Sequence, residues 1–270
     1  GSVPLGFIDS TVLNVLPGQP VAKVDGESFA TSQQEFGASG LAGVWAEENT
    51  REAIYAAFRR KETFGTSGPR IRIRFFAGYG FPDNLLDTSD GVARAYADGV
   101  TMGADLSPDM ADEKVSADAA PKFAVWAQAD ADSAPLQRLQ IIKGWIDVEG
   151  KTHERVIDVA CAGDVAVDPR TNRCPDNGAT VDLGDCSTSA DTGASELRTV
   201  WTDTAFDANQ RSFYYARVLE NPTCRWNTWD ALYAGTQPRS DLAATLQERA
   251  WSSPIQYHPA DESAKDVMGD

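Results

Sequence analysis

The stretch Pro69-Arg-Ile-Arg-Ile-Arg-Phe-Phe-Ala77 sets the period of most of this 270-residue chain. Ile71, Ile73 and Phe75 alternate with Arg72, Arg74 and Phe76, the two-residue repeat of a half-buried strand. Six further runs follow: "KFAVWAQA", "RLQIIKGWIDV", "ERVIDVA", "ELRTVWTD", "RSFYYARVLE" and "SSPIQY", separated by stretches rich in Gly, Asp, Asn and Pro. Short strands with turn residues between them predict an antiparallel β-sandwich over residues 69–258. "TLQERAW" reads as a short helix or turn before the last strand, and 259–270 as a loose polar tail.

Upstream of Pro69 the pattern changes. "LGFIDST" reads as an apolar strand, "ATSQQEFGASG" as a connection, and "VWAEENTREAIYAAFRRKETFGTSGPR" as a helix running into a turn. Asn49 is the expected N-cap, with Glu52 completing a capping box. Ala53, Ile54, Ala57 and Phe58 recur at helical spacing, and Arg59, Arg60 and Lys61 suit the negative end of the helix dipole. The chain is therefore expected to be mainly β with a small α/β part at 1–68. Gly1-Ser2 reads as a cloning remnant, and the strand directly behind it suggests a piece of a larger protein.

Forty acidic residues against twenty-four basic give a net charge of −16. Phosphate backbones and anionic lipid surfaces are repelled by such a chain, so nucleic acid is not an expected partner. No apolar run approaches the roughly 20 residues that a membrane-crossing helix needs, so membrane insertion is not expected either.

The four cysteines, Cys161, Cys174, Cys186 and Cys224, fall within one quarter of the chain. An even, grouped set suggests disulfides and a periplasmic or extracellular location; four free thiols in a cytosolic domain is the competing reading. Three pairings are open, and the expectation leans to Cys174 with Cys186 and Cys161 with Cys224. No pair has the spacing of a zinc chelate.

Candidate site residues each carry a plain alternative. Glu47 and Glu48 form a carboxylate pair suited to acid–base chemistry, yet acids just ahead of a helix are stabilised by its dipole regardless. Arg70, in the "TSGPR" turn, would meet an anionic group, or Gly68-Pro69 is simply a bend. Asp168, Asn172, Asp176 and Asn177 offer oxygen ligands for calcium, without the alternating spacing of an EF-hand loop; turn chemistry explains them equally. Trp226, Trp229 and Tyr233 would stack on a sugar or aromatic ligand, or fill core. His153 has no nucleophile nearby, which favours a surface or cross-strand role.

Several motifs, "SGLAGVWAEENTREAIYAAFRRKETFGTSGPRIRIRFF", "KGWIDVEGKTHERVIDVA", "FYYARVLENPTCRWNTWDAL" and "QERAWSSPIQY", resemble, in this order, the C-terminal part of the bacterial domain-of-unknown-function 3604 family, which is similar to PHP-type (polymerase and histidinol phosphatase) metallohydrolases. The resemblance spans about residues 5–258. It implies that 1–68 is the last strand–helix unit of a PHP-like barrel, whose missing N-terminal portion would be the main partner and would hold most ligands of a divalent metal. It also implies export and metal-assisted hydrolysis of a small-molecule phosphoester, ester or amide. Relatives carry Gly-Phe-Ile-Gly-Ser-Thr-Asp-Thr-His-Asn where this chain reads "GFIDSTVLNVLPG". Val12 and Leu13 cannot ligate a metal and Asn14 is a weak neutral donor. Asp9 is the nearby carboxylate that would have to compensate. No cofactor is expected on this chain alone. Three readings follow: the C-terminal region of a hydrolase, a ligand-binding sandwich, and a homologue that has lost catalysis and serves as a structural protein.

Overall fold

The computed structural model describes residues 22–24, 27–29, 39–110, 119–163, 165–189 and 191–260. The expected first strand with Asp9, the "STVLN" segment and residues 261–270 of the expected tail lie outside them.

In chain order come the hairpin β1 (Ala22–Val24) and β2 (Glu27–Phe29), then β3 (Leu41–Val44), helix α1 (Arg51–Arg59), β4 (Thr63–Thr66) and β5 (Arg72–Gly78). Helix α2 (Gly91–Ala97), β6 (Val100–Thr101) and β7 (Asp105–Leu106) follow, then β8 (Lys122–Gln128), β9 (Leu136–Ile146), β10 (Thr152–Cys161) and β11 (Glu196–Thr202). The chain continues through β12 (Ser212–Glu220), β13 (Thr223–Cys224), helix α3 (Trp226–Tyr233), β14 (Thr245–Leu246), β15 (Arg249–Ser252) and β16 (Ile255–Tyr257). All seven runs expected from the alternation are strands.

The larger sheet runs β10-β9-β12-β15-β4-β3, with β16 on β12 and β7 on β16; the smaller runs β11-β8-β5-β6. Apart from the β16–β7 pair, the ladders are antiparallel. Their facing sides form one apolar core, with Ile71, Ile73 and Phe75 of the opening stretch against Leu139, Ile141, Ala216 and Val218. Phe123 sits at its centre, 5.7 Å from the Phe75 ring, 5.9 Å from Trp201 and 4.3 Å from Tyr214 across the gap. Burying an aromatic of this size contributes roughly 1.5–3 kcal/mol. Arg72, Arg74 and Phe76 point to the other side of the small sheet, where Phe76 joins Phe81, Leu85, Leu86 and Ala95 in a second cluster under α2.

Two local expectations are corrected. "TLQERAW" is neither helix nor turn: it supplies β14 and most of β15, because Arg249–Trp251 pair with β12 and Trp251 with β4. The N-cap of α1 is Thr50 rather than Asn49, its hydroxyl accepting the Ala53 amide at 3.3 Å. Thr and Asn cap by the same chemistry, and the chain turns one residue later. Phe58 is exposed, whereas Ala57 is buried.

Strands β3 and β4 bracket α1 and pair antiparallel with each other inside the larger sheet. The expected boundary at 68/69 thus falls between strands of one sandwich.

The disulfides are Cys161–Cys174 and Cys186–Cys224, not the expected pairing. The buried carboxylate of Asp158 decides the first: it accepts the Cys174 amide at 2.7 Å and the Gln140 amide group at 2.6 Å, and pairs with Arg173 at 3.3 Å. The loop is thereby held beside the end of β10, Cα to Cα 5.6 Å. The second bridge ties the following loop to β13. Each closed ring removes roughly 3–4 kcal/mol of chain entropy from the unfolded state.

The ion pair of Lys143 and Asp203 is buried between the sheets. Asp203, just past β11, accepts from Lys143 Nζ at 2.5 Å, from the Tyr214 hydroxyl at 2.8 Å and from the Ala205 amide at 2.9 Å, while Lys143 also donates to Ala205 O at 3.0 Å. With both side chains almost wholly inside, removing one partner strands the other charge, so Asp203→Ala should lower the unfolding free energy by about 3–5 kcal/mol in urea titrations. Lys143→Met with Asp203→Leu should recover most of that loss, short of the share owed to the orphaned Tyr214 hydroxyl.

Candidate functional site

One end of the larger sheet opens into a cavity of about 540 Å³, lined from four strands by Gly144, Trp145, His153, Glu154, Phe213 and Gln256 among others. Register explains how they meet. The row Glu154, Gly144, Phe213 and Gln256 runs across β10, β9, β12 and β16, one residue from each strand, on the side turned away from the other sheet. Gly144 is the floor: a Cβ there would lie 2.2 Å from Phe213 Cζ, so the ring of Phe213 is in contact with bare backbone. The adjacent row, His153, Trp145, Ser212 and Tyr257, faces inward.

The chain has two histidines and both line this cavity. His153 stacks on Trp145 with ring centres 5.2 Å apart and 14° between planes, the cross-strand role expected for it. Its Nε2 lies 2.6 Å from Asp147 Oδ2 in the turn between β9 and β10. That contact, joined by the Lys151 and Glu149 amides on Oδ1, holds the Asp147 carboxyl below its usual range. His258 Nε2 is 3.3 Å from Asp105 Oδ1. Each histidine therefore spends a ring nitrogen on a carboxylate, and among the described residues neither is hydrogen-bonded to a hydroxyl or thiol that it would activate. The arrangement suits recognition of a ligand by aromatic faces and polar rims rather than a nucleophile–base pair.

Apart from His153, the residues singled out from sequence lie elsewhere. Arg70 gives its backbone amide to Asp130 Oδ2 at 2.7 Å, and its guanidinium stands in solvent 3.9 Å from Asp132. Asp168 accepts the Arg170 amide, Asp176 the Gly178 amide, and Asn172 takes a left-handed turn at φ 54°. Turn chemistry occupies all three. Among the described residues no group of three or more His, Cys, Asp or Glu is arranged to hold a metal ion; Asp9, the carboxylate named for that role, lies outside them. Trp226, Trp229 and Tyr233 recur at helical spacing on α3; Trp229 and Tyr233 stack at 5.7 Å, with Tyr233 81% exposed. Sequence reasoning missed the end cavity, although a glycine inside the strand run "IIKGWI" is the signal of close approach that marks its floor.

A further buried acid gave no signal in the sequence. Glu220, at the end of β12, has no exposed surface; its Oε2 accepts from Ser133 Oγ at 2.6 Å and its Oε1 has no partner among the described residues. Burial raises its carboxyl from 4.5 to about 7, with the nearby Glu248 and Asp130 charges adding to the rise. A group raised on folding stabilises most below its unfolded value and loses that contribution as pH climbs through the folded one. Stability should therefore fall between about pH 4.5 and 7 on this account, and Glu220→Gln should flatten that slope in urea midpoints compared at pH 5 and pH 8.

The profile of the family described as "Protein of unknown function (DUF3604)" matches residues 11–259. No curated protein and no solved structure matches the chain.

Proposed function

The chain belongs to the DUF3604 family, and from that premise we propose that it is the C-terminal region of an exported hydrolase of the PHP type, in which the sandwich receives a small-molecule substrate. The observation that carries this reading is the end cavity, where Phe213 lies on the bare backbone of Gly144 and both histidines stand on the rim, each oriented by an aspartate. A preformed concave site with aromatic faces and a few placed polar groups is the usual form of a small-ligand pocket. Two disulfides support export, since such bonds persist in oxidising compartments. No helix among the described residues is long and apolar enough to cross a membrane.

The role assigned to the sandwich is binding. Its described residues do not assemble a metal-holding set, so the hydrolytic step is left to groups beyond them. A second reading, a non-catalytic binding module, is favoured by the Trp229–Tyr233 stack, which leaves an aromatic face in solvent.

Titration with a panel of small aromatic esters, amides and phosphoesters should give saturable quenching of tryptophan fluorescence through Trp145. Gly144→Leu, which forces Phe213 off the floor, should reduce that affinity at least tenfold, and Phe213→Ala should weaken it without closing the cavity. Quenching unchanged in both variants sinks the cavity reading, whereas loss confined to Trp229→Ala selects the second. Elemental analysis of the purified chain should find no stoichiometric zinc, manganese or iron.

A further inference from the structure

A second cavity, about 520 Å³, lies beyond the far edge of the core, between the end of β3, the C-terminal end of α1, the small sheet and α2. Trp45, Glu47, Arg60, Glu62, Arg74 and Tyr96 line it. Its organising group is Glu62, whose side chain is only 4% exposed. That carboxylate accepts from Arg60 NH2 at 3.3 Å, from Thr101 Oγ1 at 3.3 Å and from the Tyr96 hydroxyl. Burial first, and then the bond to Glu62, push the Tyr96 phenol up to about 12, so it remains a neutral donor to Glu62 and a neutral acceptor from Arg74 NH1 at 3.0 Å.

Arg74 is held flat. Its guanidinium carbon lies 3.5 Å from the centre of the Trp45 ring and 5.9 Å from that of Tyr96. Trp45 is itself fixed by its indole N–H, which donates to Ile73 O at 2.8 Å. Among the described residues Arg74 has no carboxylate within ion-pair distance; its polar contact is the single bond to Tyr96. A guanidinium carries five N–H donors in a rigid fork. Most of this fork is therefore unspent, and stacking has already removed the rotational freedom that binding would otherwise cost. Arg60 stands on the same cavity, so two guanidinium charges surround one buried carboxylate charge. The exposed Glu47 brings the lining to two positive and two negative charges, so the unspent fork of Arg74, rather than a net charge, sets this place apart in a chain of net charge −16.

We propose that this cavity binds a small oxyanion, a carboxylate or phosphate group gripped in bidentate fashion by Arg74 and seconded by Arg60. Planar forks matched to two oxygens are the strongest charge-assisted hydrogen bonds available to a protein surface. Glu47, exposed on the rim, opposes a multiply charged anion and limits affinity. The inference goes beyond the function proposed above, because this site shares no residue with the end cavity.

The test is calorimetric titration of the whole chain with inorganic phosphate and, separately, with acetate, chloride serving as control. Saturable binding of roughly millimolar order is expected for one of the two, and it should weaken as ionic strength rises. Tighter phosphate assigns a phosphoryl ligand; tighter acetate assigns a carboxylate. Arg74→Lys keeps the charge and loses the fork, and should weaken binding about tenfold. Because that change also disturbs the Trp45 stack, a second variant is needed: Glu47→Gln, at an exposed position, should tighten binding by about two- to fivefold through lost repulsion. Absence of saturable binding to either anion, or an affinity unmoved by both substitutions, overturns the assignment.

Discussion

Asp203 is the constraint on which this sandwich depends. It stands just past the last residue of a small-sheet strand and holds two groups of the larger sheet, the ammonium of Lys143 and the hydroxyl of Tyr214. Apolar faces attract without direction, so hydrophobic packing alone would let the sheets slide by a residue at little cost. A buried charge allows no such slip, because its partner must be met at hydrogen-bond distance or left stranded. Tyr214 also lies against Phe123 at the centre of the core. Polar register and apolar packing are thus fixed through one side chain. The same anchor reaches the end cavity: Trp145 is two residues beyond Lys143 on the same face, and the Lys143 ammonium sits 5.5 Å from its ring.

What the sequence made legible was what alternation alone encodes. The opening stretch buries Ile71, Ile73 and Phe75 and turns Arg72 and Arg74 outward, and β12 alternates in the same way over Ser212–Val218, whereas β9 is buried along most of its length. Strand β15 was invisible because Leu, Gln, Glu, Arg and Ala favour a helix locally, and only pairing with β12 and β4 overrides them. Disulfide pairing was beyond reach for a related reason: it depends on where a long loop lands, and for Cys174 the buried Asp158 carboxylate of β10, three residues before Cys161, holds that loop in place. The two cavities were hidden because each assembles residues far apart in the chain. His153 and His258 look unrelated until β10, β9, β12 and β16 are laid side by side. Glu47, read as part of a helix entrance, gains a further role only because Arg74 lies across from it.

The two cavities differ in character. One is floored by backbone and walled by aromatic and mixed polar groups. The other is built on a buried carboxylate that organises cations above it. They sit on separate parts of the sandwich and draw on different strands, so an occupant of one places no steric demand on the other.

The two disulfide rings, residues 161–174 and 186–224, do not overlap. Wherever peptidases are present, a single cut inside either ring leaves both pieces covalently joined, and the nick becomes visible on a denaturing gel only after a thiol is added. Between the rings, residues 175–185 enjoy no such tether. Cleavage there divides the polypeptide into halves that only the sheets keep together, which makes that short span the one covalent weak link of the cysteine-bearing region.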